Sequence, residues 1–142
     1  MSKMKTVVIY RSIFHGTEMY AKWLAEDLGA DIKKFGLFSR PDFKNYDRVI
    51  VMSAMYAGWL PAAGFIKSKW EQLQNKEVVL IYCGAAAGKP EGADIINKQI
   101  PIEIMSKLKF LTLLGAAPFA NAEKKAENIK RENLKQVVAA LG

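Results

Sequence analysis

Three short stretches of this chain combine hydroxyls, glycines, aromatics and a thiol in patterns that suit ligand chemistry. The first, Arg11-Ser12-Ile13-Phe14-His15-Gly16-Thr17-Glu18, joins an apolar run to a helical pattern. A helix N-terminus offers unpaired N–H groups and about half a positive charge, so an anion held between Ser12 and Thr17 is one reading. An ordinary loop with Thr17 capping the helix is the other. The second stretch, Ser53-Ala54-Met55-Tyr56-Ala57-Gly58-Trp59, is uncharged, and its Tyr56 and Trp59 suit either stacking on a flat ring or core packing. The third runs from Cys83-Gly84-Ala85-Ala86-Ala87-Gly88 into Lys89, small residues that let backbone approach a ligand closely. Cys83 ends an apolar run, which favours a buried, inert thiol over a redox or nucleophilic one.

Several chemistries are excluded by what these stretches lack. No G-K-[ST] follows a glycine-rich loop, so the first stretch is not a Walker phosphate loop, and it is not G-x-G-x-x-G either. His15 is the single histidine and has no serine–aspartate constellation around it in sequence. One cysteine and one histidine leave no CxxC pair for a zinc site and no internal disulfide, so nothing asks for an oxidising compartment.

The elements that must position these stretches follow from periodicity. Thr6 to Tyr10, Val49 to Ser53, Val78 to Tyr82 and Phe110 to Leu114 are short apolar β-former runs of the kind buried on both faces of a parallel sheet. Ala30 to Phe35 suits a lysine-bearing edge strand. Between them, Ala21, Leu24, Ala25 and Leu28 mark a helix stopping at Gly29, and Pro61 opens another that carries Ile66, Trp70 and Leu73 toward Asn75. Residues 91–107 read as one helix broken around Pro101. Asn121 can cap a terminal helix with Leu134, Val137, Val138 and Leu141 on one face. The alternation predicts a single α/β domain over 1–142, doubly wound about a parallel sheet. Ligands in such sheets sit beyond the carboxyl ends of the strands, where all three stretches emerge.

Composition agrees with one globular domain. The 142 residues are 51% hydrophobic and 25% charged, which excludes disorder and low complexity. The formal charge is +7, favouring acidic partners or anionic membrane surfaces. The excess is dispersed, and the densest stretch, Lys124 to Lys135, interleaves Glu127 and Glu132 as a solvated helix face does, so no nucleic-acid partner is expected. Thr6 to Tyr10 is too short for a signal-peptide core. Val49 to Ile66 is uncharged over 18 residues, but Ser53, Gly58, Pro61 and Gly64 make it a strand, a turn and a helix rather than a membrane span. A cytoplasmic protein is expected.

The strand followed by Ser12, Thr17, Glu18 and Ala21 resembles the phosphate loop of the flavodoxin family, as do the second and third stretches the segments that flank that family's flavin. The resemblance runs the length of the chain. Tyr46-Asp47-Arg48-Val49-Ile50, Tyr56-x-Gly58 and Lys89-Pro90-Glu91 are similar to short relatives of menaquinone-dependent protoporphyrinogen dehydrogenase. The resemblance implies a five-stranded sheet in the order 2-1-3-4-5 and non-covalent FMN. It implies FMN contacts at Ser12, Ile13, Phe14, His15, Gly16 and Thr17, at Met55, Tyr56, Ala57, Gly58 and Trp59, and at Cys83, Gly84, Ala85 and Ala86. It further implies electron transfer or simple flavin oxidoreduction with a quinone-like or protein partner. A carbonyl at Gly58 or Gly84 meeting flavin N5–H would favour the one-electron reduced form. The chain departs from the family in placing His15 where glycine is usual, with Gly16 one residue later. That order is compatible with a re-routed loop in which His15 and Arg11 bond the phosphate, or with a binding or regulatory module that has lost flavin.

Overall fold

A computed structural model describes residues 4–11, 16–36, 42–54, 59–84, 90–115, 123 and 128–141. Five parallel strands form one sheet in the order β2-β1-β3-β4-β5. They are β1 (Thr6–Arg11), β2 (Asp31–Lys34), β3 (Arg48–Ser53), β4 (Glu77–Gly84) and β5 (Lys109–Leu114). The helices are α1 (Gly16–Leu28), α2 (Pro61–Ser68), α3 (Trp70–Leu73), α4 (Pro90–Gln99), α5 (Ile102–Met105) and α6 (Lys135–Leu141), the last entered through a 3-10 turn at Arg131–Leu134.

The three central strands are apolar almost throughout because helices cover both of their faces. Strand pleating divides their side chains between two cores. Val7, Ile9, Val49, Val51 and Leu80 pack with Leu60, Phe65 and Ile66 of the α2 layer. Val8, Ile50, Met52 and Ile81 pack with Tyr20 and Leu24 of α1 and Val137 and Leu141 of α6 on the opposite face. β2 is exposed along its length and carries Lys33 and Lys34, the charges that discourage pairing at a free edge.

Breaks in the helices have local causes. Gly29 takes φ +63 after α1, and the bonds from Ala30 N–H to the Ala25 carbonyl (2.9 Å) and from Gly29 N–H to the Glu26 carbonyl (3.3 Å) close the left-handed stop. Pro61 begins α2, where its missing N–H costs nothing. The stripe expected to run unbroken toward Asn75 is instead split at Lys69 (φ −107, ψ 9) into α2 and α3. Pro101 separates α4 from α5, as the sequence predicts. Of the terminal helix, Leu134, Val137 and Leu141 are buried as expected, while the proposed cap Asn121 lies outside the described residues. Among the described residues, no helix is long and apolar enough to cross a membrane. The part of 49–66 that is described is a strand and a helix.

Candidate functional site at the carboxyl end of the sheet

Register pairs align Arg11 with Ser53, Ser53 with Tyr82 and Gly84 with Leu114, so β1, β3 and β4 deliver the three stretches to one end of the sheet. Ser12, Ile13, Phe14 and His15, then Met55, Tyr56, Ala57 and Gly58, then Ala85 and Ala86 lie outside the described residues. Gly16, Thr17, Trp59, Cys83 and Gly84 are described, and they fall on two sides of this end.

On the α1 side, Gly16 is the first helical residue and does not take a left-handed φ; Gly29 is the positive-φ glycine among the described residues. Its bare Cα lies against Ile129, whose Cδ1 would stand 2.8 Å from an added Cβ. Thr17 is buried within the first turn and does not cap the helix. Its hydroxyl shares a hydrogen bond with the Cys83 side chain. Full burial pushes the Cys83 thiol up to about 12, an effect the Thr17 bond opposes. Cys83 is therefore the inert thiol its apolar strand predicts. Glu18 accepts from the Tyr10 hydroxyl at 3.2 Å and pairs with Lys22 at 3.5 Å, so the carboxylate in the first turn has partners of its own.

The α1 side is tied to the chain's last segment by a polar cluster that sequence reasoning missed. The Tyr20 hydroxyl, fully buried, contacts the carbonyls of Leu114 at 2.6 Å and Asn128 at 3.1 Å, and accepts from Asn133 Nδ2 at 2.8 Å. Asn128 Nδ2 donates to the Gly115 carbonyl at 3.0 Å. These bonds satisfy the Leu114 and Gly115 carbonyls at the end of β5. No short-range pattern signals them, since Tyr20 and Asn128 are joined only by the fold.

On the α2 side, Ser53 is fully buried and its Oγ accepts the Ala62 N–H at 3.0 Å, satisfying an orphan donor at the start of α2. The Leu60 N–H donates to Gln99 Oε1 of α4 at 2.9 Å, and the Leu60 side chain is wholly in the core. The backbone beside Trp59 is thus fixed while its indole is 44% exposed. Arg11 follows Val7 and Ile9 in the strand alternation and so faces α2. Its guanidinium lies 5.1 Å from the Trp59 ring centroid. The structure thereby brings Trp59 and Arg11 together on the side of the sheet away from α1. Strand parity in β1, with Val7 and Ile9 on the α2 face, is the signal in the sequence for the side Arg11 takes.

At the third stretch, Gly84 and Gly115 meet backbone to backbone. An added Cβ at Gly115 would stand 2.9 Å from the Gly84 Cα, and one at Gly84 would stand 2.6 Å from the Tyr82 hydroxyl. The Gly84 carbonyl already accepts the Gly115 N–H at 2.9 Å. Its closest use is therefore to hold β5 against β4, and any flavin N5–H would have to share it. Gly58, the other carbonyl considered, is outside the described residues. Trp23 and Trp70 are partly buried packing residues, as their amphipathic helices predict.

This arrangement is that of a flavodoxin. The flavodoxin domain family's model matches residues 7–136, and the chain belongs to that family. An uncharacterised protein of Methanocaldococcus jannaschii is 30% identical over 105 residues, covering 73% of this chain and 68% of that one. Oxidised flavodoxin 2 of Bacillus cereus shares the fold with a TM-score of 0.59 at 19% identity, over 96% of this chain and 98% of that one. A Lactobacillus acidophilus flavoprotein solved in complex with FMN matches with a TM-score of 0.54 at 15% identity, over 87% and 99% of the two chains. The family match does not single out the protoporphyrinogen dehydrogenase relatives.

Proposed function

We propose that this chain holds FMN non-covalently at the carboxyl end of its sheet and passes electrons through it. The observation that carries the reading is Trp59. A large aromatic, 44% exposed, is anchored through Leu60 at the end of the sheet where this family's strands deliver their loops. An exposed indole on fixed backbone presents a flat apolar face that a ring can stack on. The FMN bound by the Lactobacillus acidophilus flavoprotein supports the choice of flavin.

The residues present suit the group. The 13-residue helix α1 begins at the same end and can offer amide N–H groups to a phosphate. Thr17 contributes by its place in that first turn; its hydroxyl would have to leave Cys83 to reach the phosphate. Trp59 covers the ring and excludes water. FMN, when bound, supplies the electron-carrying chemistry, while the chain sets binding and polarity around it. The +7 charge suits an acidic redox protein, an anionic membrane surface or a quinone-like acceptor presented there, in the cytoplasm.

The test is an absorbance spectrum of the purified protein after incubation with FMN and gel filtration. Flavin bands retained at about one per chain are the expected result. A chain that stays colourless favours a binding module without flavin, the reading that the His15-Gly16 order allows.

A further inference from the structure

We infer that Arg11 is a positioning residue for the cofactor face: it backs Trp59 and sets a positive charge beside the bound flavin that favours its reduced form. This rests on the FMN reading above. Four observations lead to it. Arg11 is the last residue of β1, and its strand neighbour Ser53 is buried and bonded to α2, so the backbone that aims the guanidinium is rigid. The guanidinium sits 5.1 Å from the indole centroid, within the range of a cation–π contact, and tryptophan is the strongest partner for one. Among the described residues, no carboxylate pairs with Arg11; Glu18, the acidic group nearest in sequence, is committed to Tyr10 and Lys22 on the other side of the sheet. Finally, Trp59 remains 44% exposed with the guanidinium in place, which leaves surface for a ring.

A cation held this way does two things. It restricts the indole to one orientation, which lowers the cost of ordering it when a ligand arrives. It also stabilises whichever form of the ligand carries more negative charge, and reduction adds negative charge to a flavin before any proton is taken up. Because Arg11 faces α2 and lies against Trp59, its effect is expected on the ring.

Two measurements test this. In the flavin-free protein, iodide and caesium quenching of tryptophan fluorescence reads the charge beside the exposed Trp59. The ratio of iodide to caesium quenching should fall in Arg11→Gln and stay near the wild-type value in Arg11→Lys. In FMN-loaded protein, the midpoint potential of Arg11→Gln should fall, corresponding to an affinity ratio for reduced over oxidised FMN lowered on the order of tenfold, about 30 mV for the two-electron couple. Arg11→Lys should lie nearer the wild type. Equal potentials in wild type and Arg11→Gln, with FMN still bound, would overturn the inference and leave the FMN reading intact. Failure of the wild type to bind FMN would remove the FMN reading and the tuning role together. An iodide-to-caesium ratio unchanged in Arg11→Gln would remove the Arg11–Trp59 pair itself.

Discussion

At the amino end of the sheet, Arg48 is nearly buried and spends its guanidinium on Thr6 Oγ1 at 3.0 Å, the Leu141 carbonyl at 3.1 Å and Glu77 at 3.7 Å. At the carboxyl end, Arg11 has an indole face and, among the described residues, no carboxylate. The contrast extends beyond the two arginines. Lys109 bonds the Ala140 carbonyl at 2.8 Å and pairs with Glu77 at 3.8 Å, and Asp47 accepts the Lys5 N–H at 2.8 Å. Tyr46 donates to Asp31 at 2.6 Å beneath the ammonium groups of Lys5 and Lys33. The amino end thus closes β1, β3, β4, β5 and α6 with charges that satisfy one another. The carboxyl end offers glycines, a tryptophan on anchored backbone and a cation that, among the described residues, has no carboxylate partner. Apart from Glu18 with Lys22 and Tyr10 at the start of α1, the charge pairs that tie strands together lie at the amino end.

That comparison can be broken by substitution. Arg48→Ala should cost about 3 kcal/mol, because it strips a nearly buried cation from Thr6, Leu141 and Glu77 at once. Urea denaturation measures the loss, and FMN affinity should be unchanged in conditions where the variant is folded. Gly115→Ala should cost less, about 2 kcal/mol, since its Cβ is driven into the Gly84 backbone. Unlike Arg48→Ala, it should also weaken FMN binding, because it shifts the start of the third loop. An Arg48→Ala variant that loses FMN affinity while folded would dissolve the division between the two ends.

Alkali gives the most specific effect. The Cys83 thiol is raised from 9.0 to about 12 by burial, and the Tyr46 phenol from 10.0 to about 12, chiefly by its bond to Asp31. Both groups hold their protons more tightly when folded, so their contributions are complete below the unfolded values and decline as pH rises toward 12. Stability should begin to fall near pH 9. Cys83→Ala should delay that onset to about pH 10, where the tyrosines take over. An unchanged onset in this variant would mean that Cys83 is not buried as described.

Much of this was legible in the chain. The β-branched runs around Val8, Ile50 and Ile81 announced strands buried on both faces, and their order with the intervening helices announced a parallel sheet. The three loops were marked by composition because a ligand site needs small and aromatic residues that a core strand or solvated helix does not combine. What stayed hidden depends on contacts across the fold. A bond from Arg11 and His15 to phosphate is one of two readings of the His15-Gly16 order, and what the sequence does not display is that the pleat turns Arg11 toward α2 and Trp59. Thr17 reads as an anion ligand or a cap; the helix begins one residue earlier, at Gly16, and Thr17 is buried against Cys83. The break at Lys69 carries no proline or glycine to betray it, whereas Pro101 announced the break between α4 and α5. The Tyr20–Asn128–Asn133 cluster joins residues more than a hundred positions apart, and local periodicity has no access to it.

The central claim, that the carboxyl end binds flavin while the amino end only closes the sheet, is tested most directly by amide hydrogen exchange with and without FMN. Protection on adding FMN should appear in peptides covering residues 11–17, 53–60 and 83–90. Peptides around Arg48, Glu77 and Lys109 should exchange at unchanged rates. Protection centred on that second group, or none at either end, would contradict the account.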